Sequence, residues 1–266
     1  MAKNPKFTIL LYHKIGKYPN NAKFPGLYVA EDDFDRQIKY LKNAGYSFLT
    51  LSDLKTLYDY YYNYNNKYKA GDSAAAAASD AAHGLINESG KYVSITFDDG
   101  SKSVYTGGFK IMRENGVKAT VFMVSELVGG INEWDVKNGE NSDEMLSLQD
   151  LKEMSEYGIE IGAHTLTHPR LTEIAPEDAY KEISLSKKSL EDLLDGSVNF
   201  FAYPYGDYDA ATEKLAEKAG FYGACVTKTG IVKRGADFFA LRRVAIRHNT
   251  DFFKFKRKIW KVGLFY

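Results

Sequence analysis

The chain has 266 residues, 44% hydrophobic and 14% aromatic, enough for one large domain with a sizeable core. Lys+Arg and Asp+Glu number 35 each, so the formal net charge is zero and nothing in it favours nucleic acid or an anionic membrane as partner. No run reaches the ~18 apolar residues of a membrane span, and the single cysteine, Cys225, has no partner for an internal disulfide.

In chain order, Phe7 to His13 reads as the first strand. Its apolar part is too short for the core of a signal peptide and runs directly into a histidine. The expectation is an extracellular or cell-envelope protein from which a signal has been removed, with a cytoplasmic protein as the alternative. Asp32 to Ala44 carries Phe34, Ile38 and Leu41 at helical spacing, and Gly45 stops the helix. Phe48 to Thr50 reads as a short strand, and Ser52 as the N-cap of a helix running to about Tyr60. From about residue 61 to 90 the pattern dissolves into Asn, Tyr and Ala-rich sequence, read as a low-complexity insertion in an otherwise single domain spanning 1–266.

Lys91 to Phe97 is a β-rich strand that ends on Asp98-Asp99-Gly100. Ser103 to Asn115 reads as a helix, Ala119 to Val124 as a buried parallel strand, and Gly129 to Asn141 as a polar loop carrying Trp134. Ser147 caps a helix that Gly158 stops, and Gly158 to Ala163 is a strand closing on His164-Thr165-Leu166-Thr167-His168. Pro176 opens a helix to about Leu194. Thr212 to Ala219 is a helix, Gly223 to Thr227 and Leu241 to Arg247 are strands, and Phe252 to Trp260 is a closing helix. Strand and helix alternate throughout, which points to a parallel α/β barrel with helices outside.

Two features carry chemistry. Adjacent carboxylates raise each other's pKa, a cost that a cation lowers, and two histidines four residues apart offer further ligands. One carboxylate can then hold the metal while its neighbour handles protons, the division of labour of a metal-assisted hydrolase. Alone, Asp98-Asp99-Gly100 also fits an ordinary turn and the histidine pair a solvated one. Both sit at the carboxyl ends of strands, where parallel α/β folds gather their functional groups.

With Phe200 to Gly206 added, the chain resembles the polysaccharide deacetylases of carbohydrate esterase family 4. Thr96 to Gly100 is similar to that family's first motif, His164 to His168 to its second, and Ala202 to Gly206 to its third. Leu10 to His13, and Gly45-Tyr46 before Leu49 to Leu51, are similar to the branch containing poly-N-acetylglucosamine deacetylases. The resemblance implies a distorted (β/α) barrel with fewer than eight units. It implies one divalent ion, zinc or else cobalt, nickel or manganese, on Asp99, His164 and His168. Asp98 becomes the general base, and the backbone N–H of Tyr205, fixed by Pro204, stabilises the oxyanion.

Two departures from the family pattern matter. The family's arginine two residues before the motif-three proline is Ala202 here; Arg243 is the favoured substitute and Arg242 the other. The family's Leu-x-His acid motif, normally near the C-terminus, occurs at the N-terminus as Leu11-Tyr12-His13, as in a circular permutation. His13 is then the general acid, with His248 the runner-up and His83 unassigned. The implied activity is N-deacetylation of an N-acetylglucosamine-containing glycan by a protein expected to be a monomer. An O-acetyl esterase, a small-molecule amidohydrolase and a catalytically silent glycan-binding module are the competing readings.

Overall fold

Every strand run in the sequence finds a parallel neighbour, and the helix signals fall between them. The computed structural model of the protein describes residues 5–64 and 79–265. Its strands are β1 (Lys6–Tyr12), β2 (Lys14–Ile15), β3 (Tyr28–Val29), β4 (Ser47–Phe48), β5 (Lys91–Phe97), β6 (Thr120–Met123), β7 (Glu160–Ala163), β8 (Phe200–Ala202), β9 (Gly223–Cys225) and β10 (Val244–Ala245). Seven follow one another in the order β10-β1-β5-β6-β7-β8-β9, all pairs parallel, with β4 joined to β5 and a separate β2–β3 pair. The sheet curls so far that its ends approach. Cys225 of β9 bridges Leu241 in parallel, just before β10 pairs with β1. The result is a distorted barrel with outer helices.

Side chains alternate across each strand and separate two cores. Phe7, Ile9, Tyr92, Phe122, Phe200 and Cys225 pack together on one side, while Leu10, Tyr12, Ile95, Phe97, Val121, Met123, Ala163 and Phe201 belong to the other. Gly162 is required for this packing, since a Cβ there would lie 2.6 Å from the Phe122 ring. The second core is covered by α1 (Glu31–Asn43), α3 (Lys110–Asn115), α4 (Glu133–Lys137), α5 (Leu148–Tyr157), α6 (Pro176–Leu194), α7 (Ala210–Lys218) and α8 (Phe252–Phe265) in varying degree, while α2 (Leu51–Tyr58) packs Leu51, Leu54 and Leu57 into the Phe7 core.

Several local expectations change. The cap of α2 is Thr50, whose hydroxyl accepts the Asp53 N–H while the Asp53 carboxylate accepts the Thr50 N–H. Ser52 instead hydrogen-bonds Glu160, a half-buried carboxylate reaching across from β7. The expected strand at Phe48 to Thr50 is accordingly Ser47–Phe48. The expected helix over Ser103 to Asn115 opens as a π-helix, Val104–Phe109, before α3. Gly107 and Gly108 explain the wide turn: a Cβ on Gly107 would meet the Ile15 carbonyl oxygen at 2.9 Å, so the glycines let β2 approach. The strand expected over Leu241 to Arg247 forms a ladder only at Val244–Ala245. The polar loop at 129–141 contains α4.

The stretch read as an insertion at about 61–90 has packed flanks. Tyr61 and Ala82 are buried in the Phe7 core with Leu85 and Ile86 against it, and the Asn87 amide donates to the Gly45 carbonyl at 3.0 Å. Residues 65–78, the Ala-rich part of that reading, lie outside the described residues.

Candidate metal centre

Strand register decides what meets at the rim. In the β1–β5 ladder Tyr12 lies opposite Phe97, so His13 and Asp98 leave the sheet side by side, and Asp98 N–H donates to the Tyr12 carbonyl at 3.1 Å. His164 follows β7 next to the end of β6, its N–H donating to the Met123 carbonyl at 2.9 Å. The backbone is unusual here. Of the five non-glycine residues with positive φ among those described, Asp99 (74°), Thr165 (68°), His168 (67°) and Tyr205 (61°) all belong to the three rim segments. Such left-handed conformations persist only where surrounding contacts fix them, and they concentrate at functional sites.

Those contacts are visible. Glu182 of α6 accepts the N–H groups of Leu166 and Thr167 at 2.9 and 3.0 Å and the Thr167 hydroxyl at 2.8 Å. Thr165 Oγ1 accepts the His168 N–H at 2.9 Å. Gly100 turns the chain after the two aspartates with φ +81°, where a Cβ would stand 2.2 Å from Met123 Sδ. The histidine loop and the aspartate turn are thereby held rigid.

Asp99, His164 and His168 bring one potential ligand atom each within 4.8 Å of one another, and all three are buried. Both Nε2 atoms stand 3.4 Å from Asp99 Oδ1. His164 Nδ1 lies 2.7 Å from the Ala202 carbonyl oxygen, which can only accept. The proton is therefore on Nδ1, and Nε2 aims a lone pair at a carboxylate oxygen. With the imidazole neutral, that lone pair and the carboxylate oxygen are two acceptors face to face, which a cation would resolve. Burial opposes ionisation of Asp99, yet its hydrogen bonds to the two imidazoles carry its pKa well below the ordinary carboxylate value. An anionic oxygen with two imidazole nitrogens suits a divalent transition metal. Trp134 closes the site from outside, stacked on His168 with ring centres 4.3 Å apart.

Asp98 points away from this cluster into a different arrangement. Arg243, fully buried, grips it with Nη1 on Oδ1 and Nη2 on Oδ2, both at 2.6 Å. The guanidinium is itself fixed by Nε on the Val226 carbonyl and Nη1 on Thr96 Oγ1, each at 3.1 Å. Burial pushes the Asp98 pKa up, but the Arg243 charge and its hydrogen bonds prevail and hold it below the usual value. Asp98 is thus kept ionised with its orientation set. Arg242 is exposed, its stem covering Gly230, and takes no part.

The remaining expected residues divide. His13 is half-buried; burial moves its pKa below the ordinary value against the pull of Asp99 and Asp98, whose fields it shares. His248 is exposed with its ring against Tyr18 at 5.5 Å, and His83 is exposed as well. Pro204 is buried, and Tyr205 after it adopts φ 61° with its ring edge against His168 and the Arg170 guanidinium 4.0 Å above it. Among the described residues the Tyr205 N–H meets no acceptor, whereas Gly206 N–H and Asp207 N–H bond back to Tyr203 and Pro204. A free N–H on a rigid turn beside the ligand cluster is what an oxyanion requires. Sequence reasoning missed Trp134 and Glu182 as parts of this site. An aromatic inside an otherwise polar loop was the available signal for the first; Glu182 had none, being one acid among many on α6.

The family model described as polysaccharide deacetylase matches residues 86–224. YxkH of Bacillus subtilis (strain 168) is 28% identical over 244 residues, covering 92% of this chain and 72% of that protein. A poly-beta-1,6-N-acetyl-D-glucosamine N-deacetylase of Staphylococcus aureus is 24% identical over 271 residues, covering 94% and 81% respectively. Among solved structures, the Streptococcus pyogenes deacetylase PplD in complex with acetate matches with a TM-score of 0.72 at 25% identity, over 96% of this chain and 98% of that one.

Proposed function

Since the chain belongs to the polysaccharide deacetylase family, we propose that it hydrolyses N-acetyl groups on an N-acetylglucosamine-containing polysaccharide. The observation that carries this reading is the division between the two adjacent aspartates: Asp99 shares a ligand cluster with His164 and His168, while Asp98 is held ionised and apart by Arg243. The activity named for the Staphylococcus aureus relative supports the choice of glycan. A polymer of that kind lies outside the membrane, so the reading carries with it an extracellular or cell-envelope location.

A divalent ion held by Asp99, His164 and His168, for which we favour zinc, would acidify water and polarise an acyl oxygen. Asp98 takes the proton of the attacking water, and its orientation comes from Arg243. The Tyr205 N–H donates to the oxygen that becomes negative as the carbonyl carbon turns tetrahedral. His13, at the β1 end beside Asp98, gives a proton to the departing nitrogen, since an amine anion is too poor a leaving group to depart unprotonated. Arg243 also bears on the silent-module reading, whose support was the missing arginine at Ala202; a guanidinium reaches Asp98 from another strand.

The test is acetate release from chitooligomers and from β-1,6-linked poly-N-acetylglucosamine, by protein stripped of metal and then reloaded. Metal-dependent release from either supports the reading. Release only from O-acetylated glycans would turn it into an esterase, and binding without release into a lectin-like module. Asp98→Asn should retain the ion while losing release by about 10²–10⁴-fold, the usual worth of a positioned base.

A further inference from the structure

The zero net charge of the chain conceals a local excess. Helix α8, which follows β10, carries Lys254, Lys256, Arg257, Lys258 and Lys261 and no acidic residue. Its inner face is ordinary: Phe255 and Ile259 are buried, and the rings of Phe252 and Phe255 stand edge-on to Tyr40 of α1 at 5.8 and 6.2 Å. Its outer face is not. Phe253 is 76% exposed and Trp260 61%, the two most exposed large hydrophobic side chains among the described residues.

Seven residues make almost two helical turns, so these two rings share one stripe. Lys256 and Arg257 flank it, three and four positions from each ring. Some of the cations are engaged. Lys254 pairs with Asp251 at 3.2 Å, Lys258 donates to the Ala245 carbonyl at 2.6 Å, and Lys256 Nζ stands 4.7 Å from the Phe252 ring centre. Among the described residues Arg257 and Lys261, both exposed, enter no ion pair.

Single exposed apolar residues are common, but two large rings on one stripe among free cations point to a partner. A second copy of α8 would cover the rings while bringing five cations against five. A soluble polyanion would satisfy the cations and leave the rings in water. Single-stranded nucleic acid stacks its bases within a groove, whereas a helix face is convex. An anionic bilayer takes both halves, rings at headgroup level and cations on lipid phosphates. We propose that α8 is a peripheral docking helix for an anionic phospholipid membrane, with Phe253 and Trp260 entering the headgroup layer and Arg257 and Lys261 on its phosphates. Charge summed over the whole chain gave no sign of this partner because acidic residues elsewhere cancel the excess. The proposal does not depend on the catalytic reading above.

The test titrates the full chain with vesicles of three parts phosphatidylcholine to one part phosphatidylglycerol, and with pure phosphatidylcholine. Of the two tryptophans Trp134 is already buried, so a blue shift of emission reports Trp260. Partition should be at least about tenfold stronger with phosphatidylglycerol and should largely vanish in about 1 M salt, where the screening length is ~3 Å. Arg257→Gln combined with Lys261→Gln should weaken it roughly 25-fold, about fivefold for each cation near the surface. Trp260→Ser and Phe253→Ser should each cost roughly tenfold or more, the worth of burying such a side chain. All four positions are exposed, so urea unfolding of the variants should match wild type. A wild-type protein that ignores both vesicles overturns the proposal. Equal affinity for the two compositions overturns it too, as does binding that these variants leave unchanged. Retention on heparin without partition onto vesicles overturns it in favour of a soluble polyanion. A dimer that Trp260→Ser dissolves, again without partition, overturns it in favour of a second copy.

Discussion

Replacing Arg243 by Met removes the guanidinium and keeps much of the volume of its stem. In the native protein that group is fully buried and joined to Asp98, itself 3% exposed, by two hydrogen bonds of 2.6 Å. Removing one partner of such a pair leaves the other charge buried and costs about 3–5 kcal/mol. Asp98→Asn strands the arginine in the same way, whereas the double variant strands neither, so its destabilisation should fall short of the sum by about 2 kcal/mol or more. The pH dependence has a definite sign. With Arg243 present the folded pKa of Asp98 is lowered, so the pair's contribution is complete above the unfolded carboxylate value and fades as pH falls through the lowered one. Without Arg243 the largest influence left is burial, which raises the pKa, and the variant regains stability as the carboxylate protonates. The gap between wild type and Arg243→Met should be widest near neutral pH and should narrow toward the pKa of an ordinary carboxylate, about 4. Urea unfolding of the four proteins at both pH values measures it. A gap indifferent to pH, with additive single variants, would mean that Arg243 merely fills space.

Three further outcomes are expected. His164→Ala and His168→Ala should each lose stoichiometric divalent metal, measured by elemental analysis after gel filtration, since each removes one of three buried ligands; full retention by both would exclude the cluster. His13→Ala should cut acetamide turnover strongly and an activated aryl acetate far less, because only the amide needs its leaving group protonated; equal losses would show that His13 acts otherwise. If the sequence reading of residues 65–78 as a low-complexity insertion holds, deleting them should shift urea unfolding by no more than about 1 kcal/mol, and a larger loss would refute that reading. Extending the deletion through Ala82 and Leu85 should cost several times that, because those side chains belong to the Phe7 core.

Much of the arrangement was legible because strand ends carry it. Asp98, His164 and Pro204 each follow a β-rich run, and parallel pairing brings such positions to one rim whatever the loops do. What escaped reading depended on partners far away in sequence. Ser52 has the composition of an N-cap, but Glu160, 108 residues on, holds it, and Thr50 takes the cap. The π-turn at Val104–Phe109 answers to Ile15, which no local pattern encodes. Trp134 reads as one aromatic in a polar loop; only its stacking on His168 reveals that this part of the loop faces the ligand cluster. Arg243 and Arg242 are alike in sequence; only the structure, which buries the first just before β10 and leaves the second exposed, separates them.

The start and end of the chain meet in the sheet where β10 pairs with β1, and that seam between the termini is only Leu10 opposite Val244 and Leu11 opposite Ala245. His13 hangs from one side of it and Arg243 from the other. A nascent chain therefore has its candidate ligand residues roughly 4–15 s before the side chain that aligns its base is even synthesised, at about 5–20 residues per second. Competence arrives with closure, as one event. For descent, too, the seam matters more than the order of motifs. A closed ring has no first strand, and an arginine or a histidine can change its place in the sequence while staying at the same point on the rim.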